Sequence, residues 1–162
     1  MTKPKGSKCV QILVYGTALG LFYPLILLGS YIGFETVPLP VAWWYWGIIK
    51  LILAYGVVCL YQINHMFKYA LVAILLFVSG IFSFYPPHPA LVVGVEALAV
   101  TGFSLTLFDI GRMRPETNLQ LAGGLIFLGV ILSMLPAGAL EFAGVAALLF
   151  GFVLAATRLM RL

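Results

Sequence analysis

Charge is scarce in this chain. Only 9% of its 162 residues are Asp, Glu, Lys or Arg, and five of them are acidic. A soluble domain carries about 25% charged residues, so a water-exposed fold of this length would lack the polar surface to cover its apolar mass. Histidine and cysteine are equally sparse, with two of each and no C-x-x-C. No His, Cys or carboxylate cluster has metal-ligand spacing, and no G-x-S-x-G or similar nucleophile motif occurs. No segment could form a phosphate loop or a soluble domain. These absences argue against an enzyme, a bound cofactor and a metal site.

What is present is apolar: 63% of residues are hydrophobic and the mean hydropathy is +1.12. Lipid is the solvent that suits such a composition, and by length the chain is one domain, residues 1–162. The formal net charge of +4 does not indicate nucleic acid. The basic residues form no single patch; they fall in short segments between apolar runs, as topology signals do.

Five interruptions divide the chain: Glu35 to Pro40, Gln62 to Lys68, Pro86 to Pro89, Asp109 to Asn118, and Pro136 to Gly138. They leave six apolar segments at about 9–34, 41–61, 69–85, 90–108, 119–135 and 139–157. A helix needs about 17–25 residues to span the hydrocarbon, and backbone in lipid must pair within its own segment. The absence of strict alternation argues against a barrel. The expected fold is therefore an all-α integral membrane protein, a bundle of six transmembrane helices in three hairpins. The first segment follows Lys3, Lys5 and Lys8 but is too long for a signal-peptide core of about 7–15 residues. It is read as a retained helix.

The charges test this division. Lys3, Lys5, Lys8, Lys68, Arg112, Arg114, Arg158 and Arg161 flank the segments on one side, and the three loops on the other side hold no Lys or Arg. Basic flanks mark the cytoplasmic face, so both termini are expected inside a cell or cytoplasmic membrane. Cys9 and Cys59 then lie near cytoplasmic helix ends, where a reducing compartment disfavours a disulfide. They are expected to be two small buried apolar side chains. His65 is placed inside and His88 outside, which excludes both from ligating one haem.

Other features are local. Pro24 should kink the first segment. Trp43, Trp44, Tyr45 and Trp46 open the second segment and read as an interfacial aromatic belt, with an aromatic ligand cage as the alternative. Gly111 is placed to end the fourth segment, and Thr117 or Asn118 to cap the fifth. Asp109 and Arg112 read as a helix-end pair. Ser79 and Ser83 lie one turn apart and should bond the preceding turn or a neighbouring helix.

Small residues suggest how the helices pack. Ala139, Ala143, Ala147, Gly151 and Ala155 recur every fourth residue, and Gly16 with Gly20 forms a G-x-x-x-G. In lipid such rows let backbones approach closely. They serve either the bundle's own packing or the docking of another membrane subunit.

Lys50 and Glu96 stand out because ionisable groups deep in a membrane segment cost about 2.5–3.5 kcal/mol each on insertion scales. Both segments start on the same side, and the two residues differ in depth by about 4–5 Å at 1.5 Å rise per residue. An ion pair is within reach. The alternatives are a ligand, ion or proton site, or two groups that never meet, with Lys50 set against Trp46.

In size, helix number and topology, the chain with its Gly16/Gly20 row resembles the substrate-capturing subunits of energy-coupling-factor transporters. That resemblance implies a membrane bundle and transfers no site residue. Two functions are expected from the residues. The first is a non-catalytic accessory or scaffold subunit of a larger membrane complex, respiratory or otherwise energy-transducing, with the bilayer and other membrane subunits as partners. The second is a small solute transporter or substrate-binding membrane component with its site in the outer half of the bundle, at Lys50 and Glu96 with Trp43 and Trp46 nearby.

Overall fold

A computed structural model describes residues 6–34, 38–136 and 138–162. Lys3, Lys5, Glu35 and Ala137, on which part of the charge and turn pattern rests, lie outside the described residues. Apolar sequence without alternation folds here as helix throughout: α1 (Gly6–Gly20), α2 (Phe22–Tyr31), α3 (Leu39–Asn64), α4 (Phe67–Phe82), α5 (Pro89–Met113), α6 (Thr117–Ser133) and α7 (Gly138–Leu159). No strand occurs among the described residues.

Four of the resulting rods are long and apolar enough to cross a membrane. They are the Lys8–Tyr31 run made of α1 and α2, then α3, α5 and α7. α4 and α6, of 16 and 17 residues, are shorter apolar helices.

Proline punctuates one end of the bundle. Pro38 precedes α3 and Pro40 lies in its first turn, and Pro89 opens α5 after His88, whose Nδ1 accepts the Ala90 N–H at 3.3 Å. Proline fits these positions because the first helical N–H groups have no intrahelical acceptor. The opposite end carries Lys8, Lys68, Arg112, Arg114, Arg158 and Arg161. These are called below the proline end and the basic end.

Several local expectations need correction. The kink expected of Pro24 falls one turn earlier, at Leu21, which interrupts the helix while keeping α-helical dihedrals. Pro24 has no N–H to give the Gly20 carbonyl, and its ring crowds that carbonyl. α3 runs on to Asn64 and stops where His65 adopts a left-handed φ of 51°. α5 continues to Met113, so Asp109, Gly111 and Arg112 are helical and Gly111 ends nothing. Its lack of a side chain serves contact: a Cβ there would sit 2.8 Å from Gln120 Cγ and 2.9 Å from the Gln120 nitrogen, where α6 begins. Neither Thr117 nor Asn118 caps α6; the N-cap position is Glu116, and no side chain bonds there. Asp109 pairs with Lys68 of α4 rather than with Arg112. A carboxylate in the last turns of a helix is poorly placed against the dipole, and the neighbouring ammonium offsets that.

Sequential rods pack side by side: α1 on α3, α3 on α4, α4 on α5, α5 on α6 and α6 on α7, and α7 returns to pack on α1 and α2. The result is a closed ring with its core inside. Leu13, Leu53, Phe103, Leu107, Ile126 and Phe152 are each at most 1% exposed. Outside the ring, large apolar side chains such as Tyr15, Tyr55, Phe77 and Phe150 are more than half exposed. A soluble domain would hide these, whereas hydrocarbon accepts them.

The cysteine expectation is overturned. Cys9 of α1 and Cys59 of α3 form a disulfide, with their Cα atoms 5.4 Å apart, inside the usual bridging range. Helix packing brings the two cysteines within bridging distance, which the compartment argument does not address. Gly56 lets Leu13 press onto α3, and Gly16 lets Leu53 press onto α1.

The row on α7 does not form one face. Ala139 and Ala143 are exposed, Ala147 is half-buried, and Gly151 and Ala155 are buried. Four residues turn an α-helix about 400°, so a strict four-residue row drifts about 40° per step and winds from the outside of the bundle to the inside. Gly16 and Gly20 face inward, Gly16 against Leu53 and Gly20 against Phe152 at 3.1 Å from where a Cβ would stand.

Candidate functional site

Two close helix crossings set up the site. At the α3/α4 crossing, a Cβ on Gly47 would lie 3.2 Å from the Gly80 carbonyl oxygen, and one on Gly80 would lie 3.2 Å from that of Gly47. Gly47 is one turn before Lys50, and Gly80 follows Ser79, so this crossing brings the two polar side chains together. At the α4/α5 crossing, Gly102 takes Val72 at 2.9 Å from a notional Cβ. That contact seats α5 against α4, with Glu96 toward the proline end.

The polar side chains then join. Lys50 Nζ donates to Glu96 Oε2 at 2.5 Å and to Ser79 Oγ at 3.0 Å. Ser79 Oγ donates in turn to Glu96 Oε2, and Trp46 Nε1 donates to Glu96 Oε1. Lys50 is 0% exposed, whereas the Glu96 side chain keeps 19%. The ammonium also lies 5.1 Å from the Trp43 ring centre and 5.9 Å from that of Trp46. A charge pair taken from water into the interior is unfavourable unless its remaining hydrogen-bond capacity is met. Here Ser79, Trp46 and two ring faces meet most of it, with one acceptor position left on Glu96 Oε1.

Aromatic rings extend the site. Tyr23 of α2 stacks on Trp46 at 4.7 Å between centres, Phe152 of α7 meets Trp46 edge-on at 5.8 Å, and Phe103 stacks on Phe152. Beside them is a cavity of about 150 Å³ between α2, α3, α5, α6 and α7. Its walls include Tyr23, Trp43, Trp46, Glu96, Ala97 and Phe152. Lys50 is not among the lining residues.

The structure thus brings Lys50 and Glu96 into one cluster and leaves the small-residue rows outside it. The aromatic run divides. Trp44 is half exposed on the bundle surface, while Trp46 is 4% exposed and belongs to the cluster. Trp43 and Trp46 were expected near the charged pair, whereas the Trp46 N–H bond to Glu96 and the stacking of Tyr23 on Trp46 were not. The signal for Trp46 was present: residues 43, 46 and 50 follow the 3-then-4 spacing of one helix face. Nothing local marked Tyr23, which arrives from another helix. His65 and His88 lie at opposite ends of the bundle, at the end of α3 and the start of α5.

Comparison with protein-family models, curated proteins and solved structures finds no match for this chain. The likeness to substrate-capturing transporter subunits therefore rests on size, helix number and topology alone.

Proposed function

We propose that this chain is a solute-binding membrane component, and that the cavity beside Glu96 is its binding site. The observation that carries this reading is a small cavity, of about 150 Å³, walled by aromatic rings and a carboxylate at the proline end. Ligand pockets in proteins are mostly apolar with a few placed polar groups, and intramembrane ionisable residues mark functional sites by default. In this reading all six rods cross the bilayer, α4 and α6 held between longer neighbours, and the proline end faces outward because the basic residues gather at the other.

Small solutes screened by thermal unfolding of the detergent-purified chain test the reading. A ligand that binds the folded state at 100 times its Kd stabilises it by about 2.7 kcal/mol. The expected result is a solute that raises Tm in the natural chain and leaves Ala97→Phe, whose ring fills the cavity, unmoved. Equal shifts in both proteins, or no shift with any solute small enough for the cavity, would sink it.

A second reading, an accessory subunit of a larger membrane complex, draws on the exposed small residues Ala139 and Ala143 at the start of α7. They offer another helix a close approach. Mass spectrometry of the intact particle from native membranes in mild detergent separates the two readings. Reproducible further subunits favour the second, and a lone chain or homo-oligomer removes it.

A further inference from the structure

Resting on the binding-site reading above, we propose that the cavity selects a small organic cation, an ammonium group on an apolar body of roughly benzene size. The size follows from the volume. A buried apolar space of about 150 Å³ is the kind that admits benzene, and this cavity has the same volume.

The charge preference follows from what faces the space. Among the described residues, Glu96 is the one charged side chain that lines the cavity. Its Oε2 is occupied by Lys50 and Ser79, whereas Oε1 receives a single donor, Trp46 Nε1. A carboxylate oxygen accepts two bonds, so Oε1 retains a lone pair for a ligand. Lys50 is fully buried and absent from the walls. The pair is neutral as a whole, but it turns its negative pole toward the cavity. In a low-dielectric setting that orientation favours a cation and opposes an anion.

The rings act in the same direction. Tyr23, Trp43, Trp46 and Phe152 line the space, and aromatic faces attract ammonium groups within about 6 Å. Lys50 already uses two of these rings in that way, at 5.1 and 5.9 Å, so this environment accommodates an ammonium. Ser133, at the end of α6, adds a hydroxyl to the wall. Its own proton is given to the Val130 carbonyl, which leaves the oxygen as an acceptor for a ligand N–H.

Three isosteric probes test the proposal: benzylammonium, benzyl alcohol and benzoate. Each is titrated into the full chain in lipid nanodiscs, and the fluorescence of Trp43 and Trp46 is read in a Trp44→Phe background that removes the surface indole. The expected order is benzylammonium at least ten-fold tighter than benzyl alcohol, with benzoate weakest. The preference should vanish in Lys50→Met/Glu96→Gln, a pair of changes that removes the carboxylate without stranding a buried ammonium. All binding should vanish in Ala97→Phe, which leaves the ion pair intact.

Benzyl alcohol binding as tightly as benzylammonium and being abolished by Ala97→Phe overturns the cation preference while the binding cavity stands. A preference that persists in the double variant also overturns it. Binding by none of the three, or binding unchanged in Ala97→Phe, overturns the cavity reading along with the cation.

Discussion

Glu96 serves three donors at once, an ammonium, a hydroxyl and an indole N–H, and it is the one member of the cluster that also meets the cavity as a charge. Removing one partner of a buried pair leaves an uncompensated charge, at about 3–5 kcal/mol. Glu96→Gln is therefore expected to destabilise the bundle by about that much. Lys50→Met should cost less, because Glu96 keeps Ser79 and Trp46 as donors. The double variant should lose clearly less than the two losses added together, since pairwise coupling breaks additivity. Unfolding of all four proteins in one detergent checks this, and strict additivity would mean that the pair contributes no coupling. At this scale the sequence exposed Lys50 and Glu96 as misfits and set Trp43 and Trp46 near them, but did not reveal the indole N–H bond to Glu96. A tryptophan near a helix start reads as interfacial unless its spacing to a buried charge is weighed.

Element behaviour turns on which small residues meet a neighbouring backbone. The α6/α7 contact is set by Gly129 and Gly144. A Cβ on Gly144 would stand 2.9 Å from the Gly129 oxygen, and one on Gly129 would stand 2.8 Å from the Gly144 oxygen. Overpacking such a contact costs typically 1–3 kcal/mol. Gly144→Ala is expected to lower stability by at least that much, and Ala139→Leu, on the exposed outer part of α7, by less than about 0.5 kcal/mol. Equal losses in an unfolding assay would contradict this account of the contact. The four-residue periodicity in α7 picked out Gly151, which meets the α6 backbone at Ile126 and Ala122, but also the exposed Ala139 and Ala143, and it passed over Gly144, because spacing on one helix does not say which turn meets a neighbour. The break at Leu21 was legible as a disturbance at Pro24, since a missing N–H is a local fact.

For the whole molecule, ring closure joins the two ends of the chain. α7 packs on α1 and α2, and the Cys9–Cys59 bridge fastens α1 to α3. Cross-linking a loop of this size is worth about 4 kcal/mol in the chain-entropy account. Cys9→Ser is expected to lower Tm, and denatured, unreduced natural protein should take up no thiol label. Labelling of both cysteines would remove the bridge. Orientation carries a tension that a direct measurement resolves. The orientation proposed from the basic flanks puts the bridge at the cytoplasmic end, whereas disulfides persist mainly in oxidising compartments. With an impermeant maleimide on intact cells, Pro87→Cys should react at once and Arg114→Cys only after permeabilisation. The reverse order would invert the topology and put the bridge outside.

Composition alone determined that this protein lives in lipid. Hydropathy and backbone pairing are summed over many residues, so they survive errors at single positions. The apolar runs likewise placed the helices, with ends displaced where Gly111 and Asn64 continue a helix that their residue types suggest should stop. The depth of Lys50 and Glu96 was legible too, because a charge in an apolar run is visible without any partner. What only the tertiary structure decided are the distances between segments far apart in sequence: the closure of α7 onto α1, the Cys9–Cys59 bridge, Tyr23 on Trp46, and the cavity that Glu96 faces. Those depend on how the helices cross, and the crossings are set by contacts a few ångströms wide, such as Gly47 with Gly80 or Gly129 with Gly144, that no single helix encodes.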